Sequence, residues 1–258
     1  MHTSPAPTKS LWLNKVPEVT LIFWIIKMMS TTVGETAADY LNFKLHFGLG
    51  GTTLVVGILL AISMLWQLQA RRYVPAPYWL AVVLISVFGT LVTDNLTDEM
   101  QVPLALSTGV FSIALIATFA VWYSQEKTLS IHAIDTPKRE RYYWTVILFT
   151  FALGTAAGDW VAEGMNIGYA NAALLFGGLI AITAAAHYLF KANAVTCFWV
   201  AYVLTRPFGA ACGDLLSHSA NKGGLGLGTT NTSILFLVVI IALVGYLSIG
   251  AKADRDSA

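Results

Sequence analysis

Charge is what this sequence has least of. Only 11% of its 258 residues are Asp, Glu, Lys or Arg, where a soluble domain of this size carries about 25%. Fully 56% are hydrophobic, and the mean hydropathy is +0.67. That deficit excludes an ordinary water-soluble domain and points to lipid as the solvent. Long hydrophilic stretches are missing too: the longest, Gln125 to Arg141, reads as a loop, so no soluble domain is expected beside the membrane one. Cysteine is nearly absent. Cys197 and Cys212 fall on one predicted helix, 15 residues apart, and cannot bridge each other. They read as small hydrophobes and say nothing of redox compartment.

What is there is a series of apolar runs of about 20 residues, each long enough to cross a bilayer as a helix. Eight are expected, at roughly 18–41, 48–69, 78–99, 102–124, 142–164, 168–190, 193–217 and 230–250. The first, preceded by Lys9 and Lys15, resembles a signal peptide. It contains Lys27 and Glu35, is too long for such a leader and lacks a cleavage site, so it is kept as a helix. With the N-terminus inside, Lys9, Lys15, Arg71, Arg72, Lys127, Lys138, Arg139, Arg141, Lys191, Lys252 and Arg255 are cytoplasmic, against Lys44 and Lys222 outside. This positive-inside bias puts both termini in the cytoplasm and sends every odd-numbered helix from inside to outside.

Those helices repeat. Trp79 precedes Asp94, Trp144 precedes Asp159 and Trp199 precedes Asp214, each by 15 residues. The surrounding segments read GTLVTDNLTD, GTAAGDWVAE and GAACGDLLSH, and the first helix supplies STTVGETAAD around Glu35, with Thr20 in the tryptophan position. The shared pattern is a small residue, Thr or Ala, two more residues, Gly or Thr, an acid, and a polar residue four further on. From tryptophan to that last position is roughly 28 Å of helix, about one hydrocarbon thickness. The tryptophans are therefore expected at the inner interface. The paired acids should share one helix face near the outer surface, with small residues below them for close helix approach. The even helices carry no acids and open on small or polar residues, among them Gly50, Thr52, Thr53, Ser107, Asn171 and Asn231.

All four repeats run in one sense. The expectation is an all-α integral membrane protein, one domain over 1–258, with eight transmembrane helices from four parallel two-helix repeats (about 18–70, 78–124, 142–190 and 193–250) and approximate fourfold character. On the Trp79, Trp144 and Trp199 registers and their acidic motifs, the chain resembles a bacterial inner-membrane family of four tandem two-helix, tryptophan-containing repeats of unknown function. Repeat one departs from it by lacking the aligned tryptophan. The resemblance implies architecture and a bacterial inner-membrane location, and no activity.

Chemistry must come from the outer layer, which holds Glu35, Asp39, Asp94, Asp98, Glu99, Asp159, Glu163 and Asp214, with His218 in the second position of repeat four. Asp39, Asp98, Glu99 and Glu163 lie shallow enough to end their helices in water. Glu35, Asp94, Asp159 and Asp214 lie about a turn deeper, where a charge costs at least about 2.5 kcal/mol and marks a cavity, a partner or a pathway. Lys27 and Arg206 each precede their motif acid by eight residues and are expected to act as charge partners for carboxylates on adjacent helices. Pro207, next to Arg206, predicts a kink in helix seven. The stretch KGGLGLGTT from Lys222 lacks the spacing of a phosphate loop and reads as a flexible outer loop.

Two cations cannot neutralise this layer, so it should attract more. Clustered carboxylates, hydroxyls and amides suit a hard divalent ion such as manganese, calcium or magnesium, although Met28, Met29, Met100 and Met165 lie nearby. Crowded carboxylates resist joint ionisation, so protons are expected to exchange for the ion. The leading reading is a transporter and not an enzyme. Its cation ligands would be Glu35, Asp39, Asp94, Asp98, Asp159, Glu163, Asp214 and His218, and the metal itself would sit on Glu35, Asp94, Asp159 and Asp214. The metal enters as substrate, and no other cofactor is expected. The remaining partners are the bilayer and, left open, further copies of the chain; no nucleic acid is expected. A pseudo-fourfold cation channel remains an alternative. So do a membrane-embedded metallohydrolase using His46 and His218, short of the usual zinc ligands, and a non-transporting sensor or scaffold.

Overall fold

A computed structural model describes residues 14–44 and 46–256. Lys9, counted above for topology, lies outside the described residues, as do the side chains of Lys222 and Arg255. The described chain is all-helical: α1 (Leu21–Asp39), α2 (Gly48–Gln69), α3 (Pro75–Asp94), α4 (Leu104–Glu126), α5 (Pro137–Asp159), α6 (Tyr169–Tyr188), α7 (Ala194–Ser217) and α8 (Thr229–Asp256). Helix starts follow local chemistry. Pro75 and Pro137 open α3 and α5, where a missing N–H costs nothing. The Thr20, Thr136 and Asn193 side chains accept from the first-turn N–H groups of α1, α5 and α7.

Among the described residues seven helices, α2 to α8, are long and apolar enough to cross a membrane. The expected eighth is α1, whose 19 residues hold Lys27, Glu35 and Asp39 and fall short of that standard. Two boundaries also move. Helix α5 starts at Pro137 rather than near 142, because Glu140 belongs to its first turn and is buried against Lys15 (2.5 Å) and Gln67 (3.2 Å). The expected loop from Gln125 to Arg141 thereby shrinks to residues 127–136, and Ile131 and Ile134 within it are buried.

The helices form two shells. Helices α1, α3, α5 and α7 pack in a closed ring, each against the next and α7 back against α1. Around them α2 lies on α3, α4 on α5, α6 on α7, and α8 returns to α1. Each second helix thus covers the first helix of the following repeat rather than of its own. Burial separates the shells: between 50% and 67% of the apolar windows of α3, α5 and α7 is enclosed, against 6% to 22% for α2, α4, α6 and α8. The outer shell turns Ile58, Ile62, Ile113, Ile116, Leu174, Ile182, Ile241 and Ile249 outward. A continuous apolar exterior of this kind matches a lipid surround.

The inner ring is tight because small residues line it. A Cβ on Gly89 would overlap Phe151 of α5, one on Gly154 would overlap Arg206 of α7, and one on Gly209 would overlap Thr31 of α1. These glycines open the motifs of repeats two, three and four, so the motif's small residue is a helix-contact point.

Candidate functional site

Arg206 sits at the centre of the ring, fully buried on α7. Its guanidinium donates to the Thr31 carbonyl (3.0 Å) and Glu35 Oε2 (3.0 Å) on α1, to the Thr90 hydroxyl on α3, and to the Thr155 hydroxyl (2.7 Å) on α5. One side chain therefore ties all four inner helices together. The three threonines occupy the same motif place, four residues before the acid, and repeat four, which supplies the arginine, has Ala210 there. Sequence reasoning missed Thr31, Thr90 and Thr155 as ligands. The signal was the recurring Thr-or-Ala in the motif.

Glu35 and Arg206 thus form the buried pair expected of them. Lys27 does not. It is fully buried on α1, yet its ammonium donates no hydrogen bond and forms no ion pair among the described residues. It lies instead over the rings of Phe151 (4.2 Å) and Tyr202 (4.4 Å). The inner-ring residue facing it on α5 is aromatic, and cation–π attraction takes the place of a carboxylate.

Above Arg206 sit Glu35, Asp94, Asp159 and Asp214, in or near the last turns of α1, α3, α5 and α7, where the helix dipole is negative. Of the charged groups around them, Glu35 acts most strongly on each of Asp94, Asp159 and Asp214, and Asp39 is within range of all three. The other three deep acids therefore lie within electrostatic reach of Glu35 and Asp39. Asp94 and Asp159 are half-buried and Asp214 is 6% exposed. With Arg206 committed to Glu35, these three carboxylates accept no hydrogen bond and form no ion pair among the described residues.

The shallow acids divide. In repeats two and three a π-helical turn begins immediately after the deep acid, at Asn95–Glu99 and Trp160–Gly164, and Asp98, Glu99 and Glu163 are exposed as expected. Glu163 accepts from the Tyr169 hydroxyl (2.7 Å) at the start of α6. In repeat one the π-turn starts a turn later, at Tyr40, so Asp39 stays within the α-helix and turns inward. Its Oδ2 lies 4.0 Å from His218 Nε2. Among the described residues one group of three or more Asp, Glu, His or Cys gathers its donor atoms within 4.8 Å: Asp39, Asp214 and His218. Glu35, Asp94 and Asp159 stand outside that set, and His46 is exposed between α1 and α2.

The glycine-rich stretch expected to be flexible instead caps α7. The N–H groups of Leu225, Leu227 and Gly228 donate to the carbonyls of Leu215 (2.7 Å), Leu216 (3.0 Å) and Ser217 (3.2 Å), and Gly226 donates to His218 (2.7 Å). Gly224 passes so close that any Cβ would overlap the His218 carbonyl. The loop holds His218 in place.

Below Arg206 the axis is filled. Lys27, Phe151 and Tyr202 are followed by the Tyr78–Tyr143 hydroxyl pair and by Trp79, Trp144 and Trp199, all buried. The tryptophans were expected at the inner interface; they lie at the end of the bundle opposite the acids and are buried within it. Fifteen residues turn a helix to within about 60° of its starting face, so tryptophan and acid share the interior side. Beside them, burial pushes the Tyr73 phenol well above its usual range, leaving it neutral to accept from Trp79 Nε1 (3.1 Å). An apolar groove of about 420 Å³ opens at the edge of this end, between the start of α7 and the end of α6, far from the acids.

The sequence matches the family described as Repeat of Unknown Function (DUF347) four times, at residues 22–73, 77–128, 142–193 and 197–251. The chain belongs to that family. Each matched repeat spans one inner helix and the outer helix that follows it, so the family's unit is one quarter of the two-shelled ring. No curated protein and no solved structure matches the chain.

Proposed function

We propose that this is a multi-pass protein of the bacterial inner membrane, with both termini cytoplasmic, that binds a divalent cation in the outer acidic vestibule and exchanges it for protons. The observation that carries this reading is the state of Asp94, Asp159 and Asp214. Asp94 and Asp159 are half-buried and Asp214 is buried, all three lie within electrostatic reach of Glu35, and none accepts a hydrogen bond or forms an ion pair within 4 Å among the described residues. Carboxylates so placed need counter-charge from outside the chain, and protons and metal ions compete for that role. The negative dipole of the helix C-terminal turns that carry these acids favours the same sign of ligand.

The filled axis favours a transporter over a pore. A cation moving straight through would meet Arg206 and Lys27 and then a closed aromatic layer, so passage requires a rearrangement between two states. Repeat symmetry offers a means, since the inner ring consists of four similar helices joined at one guanidinium.

Thermal unfolding of the detergent-solubilised full chain tests the vestibule. Manganese, calcium, magnesium or zinc is expected to raise the melting temperature, and Asp159→Asn, which keeps the shape and removes the charge, should abolish most of that rise. If no divalent ion shifts the wild type and Asp159→Asn is the more stable protein, the acids are not a cation site and a scaffold role takes precedence.

A further inference from the structure

We propose that Asp39, Asp214 and His218 form a discrete site for a divalent transition-metal ion at the α1–α7 edge of the vestibule. This rests on the cation-binding reading and narrows its substrate class. Three donor atoms, two carboxylate oxygens and one imidazole nitrogen, already lie within 4.8 Å of one another. Donors that bind one first-row metal at about 2.0–2.2 Å sit roughly 3–4 Å apart, so a contraction of at most about 2 Å completes the set.

A second observation points to a ligand independently of this proximity. Asp214 is more than nine-tenths buried, and its carboxylate neither accepts a hydrogen bond nor forms an ion pair among the described residues. It is aimed at Asp39 and His218. A buried carboxylate without a donor is costly unless a cation or a proton joins it.

The surroundings fix the ligands. Asp39 reaches the set because its helix delays the π-turn that carries Asp98 and Glu163 into water. His218 is held from behind by the 223–228 loop and in front by the Tyr169 ring, whose centroid is 5.1 Å away. Histidine occupies the second motif position in repeat four alone, where repeats one to three carry an acid. One imidazole among carboxylates turns a calcium- or magnesium-like environment toward manganese, cobalt or zinc. Three protein donors leave coordination positions for water, which suits an ion that must be released again.

Cobalt(II) is the probe of choice, because its visible absorption reports nitrogen ligation. Wild-type full-length protein in detergent is expected to bind cobalt with a band that changes in His218→Gln. The preference for cobalt over calcium should fall at least about tenfold in that variant. Asp39→Asn should lose the same preference, which covers the case in which His218→Gln fails to fold. If cobalt binds wild type and both folded variants with one spectrum and one cobalt-to-calcium ratio, the ion sits elsewhere in the vestibule and this site is refuted while the cation reading stands. If neither cobalt nor calcium binds wild type, the cation reading fails and takes this site with it.

Discussion

Arg206 and Lys27 hold the same place in their repeats, eight residues before Asp214 and Glu35, and have opposite surroundings. Arg206 has one carboxylate and three other oxygen acceptors; Lys27 has two aromatic rings. Removing one partner of a buried pair costs about 3–5 kcal/mol because the other is stranded. Arg206→Met is therefore expected to destabilise the protein by about that amount, and adding Glu35→Gln should return part of it. Lys27→Met should be neutral or stabilising, since no carboxylate loses a partner and an ammonium leaves the interior. Denaturation in detergent measures all three; a Lys27→Met loss as large as that of Arg206→Met would mean a carboxylate does pair with Lys27. The four deep acids and both cations were legible in the sequence through the repeat register. The partner of Lys27 was not, because it depends on which residue faces it across the ring, and spacing along one helix carries no such information.

At the scale of elements, two devices set the geometry of the site: glycine contacts that bring the inner helices together, and a capping loop that ends α7. Gly224→Ala is expected to cost about 1–3 kcal/mol by forcing the loop away from the His218 carbonyl. It should also shrink the divalent-dependent rise in melting temperature. Gly178, on the open face of α6, has nothing within 4 Å of an added Cβ. Gly178→Ala should be neutral or stabilising by up to about 1 kcal/mol, as expected for an exposed helical glycine. Equal effects of the two substitutions in a thermal unfolding series would contradict the account of the loop. Helix number, order and approximate ends were readable from hydropathy, because a bilayer-length apolar run has few alternatives. The π-turns were not, since nothing in NLTDE or WVAEG distinguishes them from the end of an ordinary helix. Nor was the capping loop, whose glycines read as flexibility until the α7 carbonyls they approach were in place.

For the whole molecule, the parallel repeat led to the expectation of a bundle of approximate fourfold character, and the inner helices pack in a closed ring of four. It did not foretell that each outer helix would cover the next repeat's inner helix, a choice made by the long-range packing of α8 back onto α1. The result is a bundle open to charge at one end and closed by Arg206, Lys27 and aromatic rings at the other. In the proposed exchanger this is one of two states, in which the ion binds above the closed half and crosses while protons return. Proteoliposomes carrying a manganese-quenched dye and a pH dye inside test it most directly. Saturable manganese entry coupled to proton exit is expected in wild type, with loss of both in Asp159→Asn. Manganese entry no faster than in protein-free liposomes, or an Asp159→Asn variant that transports like wild type, would contradict it.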